Sequence, residues 1–122
     1  MHTQFKGTNY DLPPEVTAYA GKKIQGLGKY LGAVKEAAHA YVDLGRETGE
    51  HHNGGRIWRA DINLDVPGAR FRAAALEESI EAAIDKVTDE LAKEVKTARE
   101  RQQSLVRRGG AAMKSFVQGL QG

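Results

Sequence analysis

Cationic side chains crowd the last quarter of this 122-residue chain, residues 93–122. Lys93, Lys96, Arg99, Arg101, Arg107, Arg108 and Lys114 stand there against only Glu94 and Glu100. Side chains of this type bind phosphates, by direct attraction and by releasing the counterions condensed on a nucleic acid. The net charge is only +2, so any such attraction must come from local fields rather than the global sum. Charge pattern alone also fits a solvated helix face, with Glu90, Glu94 and Glu100 at helical spacing from the lysines. Lys86 is read that way.

Other chemistries find less support. His51 and His52 are adjacent in a glycine-rich stretch, without the spacing that makes ligands converge. No cysteine completes a set, so neither a metal nor a disulfide is expected. Asp61, Asp65 and Asp85 fall at exposed strand or helix positions with no nucleophile alongside, so no catalytic pair and no small-molecule substrate or cofactor is expected. Asp85 reads as an electrostatic partner for the positive end of the helix that follows Ser79. Tyr10, Tyr30, Tyr41 and Trp58 could stack on bases. Trp58 shares its strand's apolar face and reads as core, and Tyr41 reads as the exposed ring.

The elements that must carry these residues follow from periodicity. Residues 2–8 alternate, Thr3 and Phe5 on one face and His2, Gln4 and Lys6 on the other, as in a half-buried strand. Asp11 is the expected N-cap of a first helix, with Pro13 and Pro14 in its first turn, where amides lack acceptors anyway. Val16, Ala20, Ile24, Leu27 and Leu31 give that helix one apolar stripe to about residue 31, flanked by Lys22, Lys23 and Lys29. Gly21, Gly26, Gly28 and Gly32 weaken it by up to about 1 kcal/mol each. Strands are predicted at 36–45, 56–66 and 69–76, the middle one alternating most clearly. A glycine-rich loop at 46–55 and the Pro67–Gly68 turn separate them. Ser79 caps a second helix with Ile80, Ile84, Val87, Leu91, Val95 and Ala98 inward, ending near residue 105 before Gly109 and Gly110.

The order is strand, helix, three strands, helix. A helical crossover makes the first strand parallel to the second, and tight turns make the rest antiparallel. Each strand has one apolar face and each helix one apolar stripe. The expected fold is therefore α+β, a two-layer β-α-β-β-β-α sandwich with both helices on one face of a four-stranded sheet. With 40% hydrophobic and 28% charged residues, the composition is that of a folded globular chain. No apolar run approaches the roughly 18 residues a membrane helix needs. The opening MHTQFKGT lacks the regions of a secretory signal, so a cytoplasmic location without membrane partners is expected.

Particular strings carry a family likeness. GTNYDLPPEV at 7–16, KKI at 22–24, KYL at 29–31 and the stretch from Ser79 through AAID at 82–85 to Lys93 resemble the ribosome hibernation promoting factor and ribosome-associated inhibitor A family. The likeness covers about residues 1–103. It implies a fold similar to double-stranded RNA-binding domains. It also implies docking on the small ribosomal subunit, in the groove for messenger RNA and tRNA, through ribosomal RNA phosphates and neighbouring ribosomal proteins. Such factors silence translation in idle or stressed, stationary-phase cells without covalent chemistry. The basic residues it assigns are Lys22, Lys23 and Lys29, then Lys93, Lys96, Arg99 and Arg101. Arg107 and Arg108 in the tail extend the same expectation.

The sequence also departs from the family pattern. Glu90 and Thr97 replace lysines, Gly26 replaces another basic residue, and Glu94 adds an acid beside Lys93. The chain reads as a short form, monomeric off the ribosome. A domain is expected over 1–105, followed by a flexible basic and amphipathic tail over 106–122 with Met113, Phe116, Val117 and Leu120 at helical spacing. The alternative reading is a self-associating interaction module that uses its sheet edge or that tail.

Overall fold

The structure, a computed structural model, describes residues 1–47 and 55–107. The elements are β1 (His2–Thr8), α1 (Pro14–Gln25), β2 (His39–Arg46), β3 (Trp58–Val66), β4 (Ala69–Glu77) and α2 (Ile80–Arg107), with two 3-10 turns, Gly26–Tyr30 and Gly32–Ala37, between α1 and β2. The sheet order is β1-β2-β3-β4. β1 runs parallel to β2, with Phe5 opposite Val42, while β2, β3 and β4 form an antiparallel meander. Val66 pairs with Ala69, leaving Pro67 and Gly68 as a two-residue turn in which Gly68 takes φ 84°. Proline followed by a left-handed glycine is what such a turn requires. The α+β two-layer architecture anticipated from the sequence is the one observed.

Alternation places the core. Ala40, Val42 and Leu44 of β2 and Ala60, Ile62, Leu64 and Val66 of β3 all point to the helix side and are buried. Val16, Ala20 and Ile24 of α1 and Ile80, Ile84, Val87, Leu91 and Val95 of α2 meet them there. Burial of each large side chain contributes about 1.5–3 kcal/mol, and this contact fixes both helices to one face of the sheet. The opposite face carries His2, Gln4 and Lys6, then His39 and Tyr41, then Arg70 and Arg72, all exposed.

Two expectations at the first helix need correction. Asp11 is not its N-cap. That position belongs to Pro13, with Pro14 at the first helical position and no side chain capping. Asn9 and Leu12 take positive φ values of 54° and 50° and turn the chain so that Asp11 stands exposed ahead of the helix. The orphan amide of Val16 uses the Pro13 carbonyl instead, sharing it with the first regular helical bond from Thr17. The α-helix also stops at Gln25 rather than near 31. Gly26 and Gly28 remove side chains that would stabilise a further α-turn, so the segment tightens into 3-10 geometry, which still buries Leu27, Leu31 and Val34. That tightening shifts the start of β2 from 36 to 39.

The second helix begins as expected. Ser79 Oγ accepts from the Ala82 amide at 3.1 Å, satisfying one first-turn donor. Among the described residues, no helix is long and apolar enough to cross a membrane. Gly109, Gly110, Lys114 and the apolar residues of the tail lie outside the described residues, as do His51 and His52 of the loop.

Candidate nucleic-acid interface

Lys22 and Lys23 occupy the last turn of α1, and Lys29 the 3-10 turn that follows. Lys93, Lys96, Arg99 and Arg101 lie on the C-terminal half of α2, and Arg107 ends it. The side chains of the first seven are exposed. Arg108 lies outside the described residues. Because α1 and α2 pack on the same side of the sheet, all seven lie on the helix side of the molecule.

Within that side they divide into two groups. At roughly 100° per residue, Asp85, Ala92, Lys96 and Arg99 follow the flank of α2 that meets α1 and the 3-10 segment. Arg99 Nη1 donates to the Lys29 carbonyl at 3.3 Å, which ties the end of α2 to that segment and brings the Arg99 and Lys29 positions together. The Lys29 ammonium lies 5.1 Å from the centre of the Tyr30 ring, a cation–π contact that leaves its charge available. Lys93 and Arg101 belong to the other group. They line a groove between α2 and β4, with Phe71, Glu94, Thr97 and Ala98.

Among the described residues, neutralisation reaches these candidate cations at one point, Lys23. Lys23 Nζ lies 3.2 Å from Asp85 Oδ1, and the Tyr19 hydroxyl donates to the same oxygen. The Tyr19 hydrogen bond and then Lys23 hold the Asp85 carboxyl below its ordinary range. The same contacts push the Tyr19 phenol and the Lys23 ammonium up. Asp85 is thus a clasp between α1 and α2, not a partner for the helix end. It sits in the second turn of α2, beyond where the dipole field is strong. The signal for this was in the sequence, since Tyr19 and Lys23 are four residues apart on one helix face. Of the seven described cations, Lys23 alone has a carboxylate within 4 Å among the described residues, which leaves six uncompensated. Among the described residues, the pairing expected from Glu90, Glu94 and Glu100 reduces to one contact, Lys86 to Glu90 at 3.9 Å.

The open face of the sheet is different. Arg72 makes a two-pronged contact with Asp61, its Nε 3.3 Å from Oδ1 and its Nη2 3.0 Å from Oδ2. That fork, with Arg59 beside it, holds Asp61 below its usual range. Arg59 also reaches Glu47 at 3.1 Å, and Arg70 reaches Asp65 at 3.0 Å. The three arginines of β3 and β4 therefore spend their charge on neighbouring carboxylates.

The aromatic assignments follow burial. Tyr41 is 41% exposed, and its ring lies 6.4 Å from His39, which stacks on His2 at 5.0 Å. Trp58 is half-buried against the core, edge-on to Tyr10 at 5.1 Å. Among the described residues no three histidine, aspartate or glutamate side chains are placed to share a metal ion.

The family model for the sigma-54 modulation protein / S30EA ribosomal protein matches residues 3–103. Among solved structures, the N-terminal domain of Thermus thermophilus Protein Y is similar, with 28% identity and a TM-score of 0.64 over 80% of this chain and 98% of that one. A ribosomal subunit interface protein from Coxiella burnetii shares the fold at 16% identity, with a TM-score of 0.63 over 82% of this chain and 99% of that one. No curated protein matches the chain.

Proposed function

The chain belongs to the sigma-54 modulation protein / S30EA ribosomal protein family, and from that premise we propose that it is a ribosome hibernation factor that docks on the small subunit. In this reading Lys22, Lys29, Lys93, Lys96, Arg99 and Arg101 contact ribosomal RNA phosphates in the groove for messenger RNA and tRNA. Arg107, at the end of α2, and Arg108, next in sequence, are assigned to the same contact. Occupancy alone silences translation, and no covalent step is required.

One observation carries the proposal: Lys22, Lys29, Lys93, Lys96, Arg99 and Arg101 on the helix side lack carboxylate partners among the described residues, while the arginines of β3 and β4 have them. An exposed cation without a partner keeps the full gain of counterion release on meeting a phosphate. A cation already in an ion pair must first give that pair up. Such charges on two neighbouring helices favour recognition that rests on shape and phosphates more than on base sequence.

Co-sedimentation with purified small subunits is the test. The native chain is expected in the pellet at near-physiological salt. A variant with Lys93, Lys96 and Arg99 replaced by glutamate is expected in the supernatant with an unchanged circular dichroism spectrum, because none of the three is in the core. A native chain that stays in the supernatant, while its mass rises with concentration, would favour the self-associating module instead.

A further inference from the structure

The groove between β4 and α2 contains more than a phosphate site needs. Its volume is about 360 Å³ and its walls are Phe71, Lys93, Glu94, Thr97, Ala98 and Arg101. Glu94, Thr97, Ala98 and Arg101 are spaced i, i+3, i+4, i+7, so they form one stripe of α2 facing the edge strand. Phe71, half-buried on the core side of β4, supplies an aromatic surface. Since β4 is an outer strand of the sheet, no further strand closes the groove from that side among the described residues. A surface made only for phosphates gains nothing from an apolar wall, and a carboxylate there repels them. Glu94 has no cation within 4 Å among the described residues, although Lys93 and Arg101 share its groove.

We propose that this groove is a single-base subsite, holding an unpaired guanine against Phe71 with Glu94 as its reader and Lys93 and Arg101 on the flanking phosphates. The inference rests on the RNA-binding reading above. A volume of about 360 Å³ leaves room for one base. An ionised carboxylate only accepts hydrogen bonds, so it selects for donors. Guanine alone presents two adjacent N–H donors, N1–H and N2–H, on its Watson–Crick edge, matching the two carboxylate oxygens. Adenine and cytosine offer one amino group beside a repelling acceptor, and uracil one N–H between two carbonyls. The Thr97 hydroxyl can donate to the guanine O6. Aromatic stacking and edge recognition are how proteins read single-stranded RNA, and two positive charges beside the ring supply the backbone contacts.

The test uses single-stranded oligouridines that differ only in a central G, A, C or U, titrated by fluorescence anisotropy. The G-containing strand is expected to bind about tenfold tighter than the others, the discrimination a two-bond contact provides. Glu94→Gln should erase most of that preference without weakening the all-uridine strand. Phe71→Leu, which keeps the apolar packing but removes the ring, should cost the G strand about tenfold. Equal affinity for all four strands, or a guanine preference that survives Glu94→Gln, overturns the subsite. If the strands bind equally while the native chain still pellets with small subunits, the base subsite is wrong and the phosphate surface stands. If neither RNA nor subunits bind, the parent reading fails first and takes the subsite with it.

Discussion

At Asp85 one carboxylate accepts from Tyr19 and pairs with Lys23, so a residue that joins the two helices also withholds a cation from the surface they form. Asp85→Asn is therefore expected to loosen the clasp and release Lys23 together. Thermal stability should fall modestly, while affinity for RNA at low salt should rise. The slope of log affinity against log salt should steepen by about one phosphate contact. Unchanged salt dependence would mean that Lys23 lies off the contact surface. Asp61 and Asp85 also set an acid limit. Both carboxyls are held low in the folded chain, Asp61 chiefly by the Arg72 fork and Asp85 chiefly by Tyr19. Their contribution to stability is complete above the ordinary carboxylate range near pH 4 and is lost as pH falls through that range toward the lowered values. Denaturant titrations of Asp61→Asn should show a shallower stability loss below about pH 4 than the native chain shows. An identical acid profile would remove Asp61 from the account.

Glycine sets the behaviour of two elements in opposite ways. Gly26, where α1 gives way to the 3-10 turn, has right-handed φ and ψ of −60° and −20°, and a Cβ there would meet nothing within 4 Å. Gly26→Ala is expected to stabilise the chain by about 0.4–1 kcal/mol by restricting the unfolded state. Gly26→Lys should stabilise less and also strengthen RNA binding. Gly45 of β2 lies opposite Thr8 of β1, and a Cβ there would run into the Thr8 carbonyl. Gly45→Ala should cost about 1–3 kcal/mol through overpacking, readable in the denaturation midpoint. A neutral result would show that β1 can move away from β2 at that end. The weakness of the first helix was legible from its glycines, and so was the Ser79 cap. The replacement of Asp11 by Pro13 was not legible, because it depends on two left-handed residues, Asn9 and Leu12, whose types do not demand that conformation.

Taken as a whole, the molecule divides its charge between two faces. The six candidate cations without a carboxylate partner among the described residues predict a salt slope of about −4 to −5 for RNA binding, and a loss of about two to three orders of magnitude between 50 and 200 mM salt. A slope near zero in anisotropy or sedimentation would leave no role for that surface. The elements, their order and the inward positions of the core were determined by the sequence itself, because period-two and helical spacing act locally and burial enforces them. The basic residues could be nominated there but not sorted. The tertiary structure decided that Arg72 meets Asp61 and Lys23 meets Asp85, while Lys96 and Arg99 meet no acid among the described residues. Ion pairs form between residues distant in the chain, so only the packing of α1, α2 and the sheet determines which charges cancel and which remain for a partner.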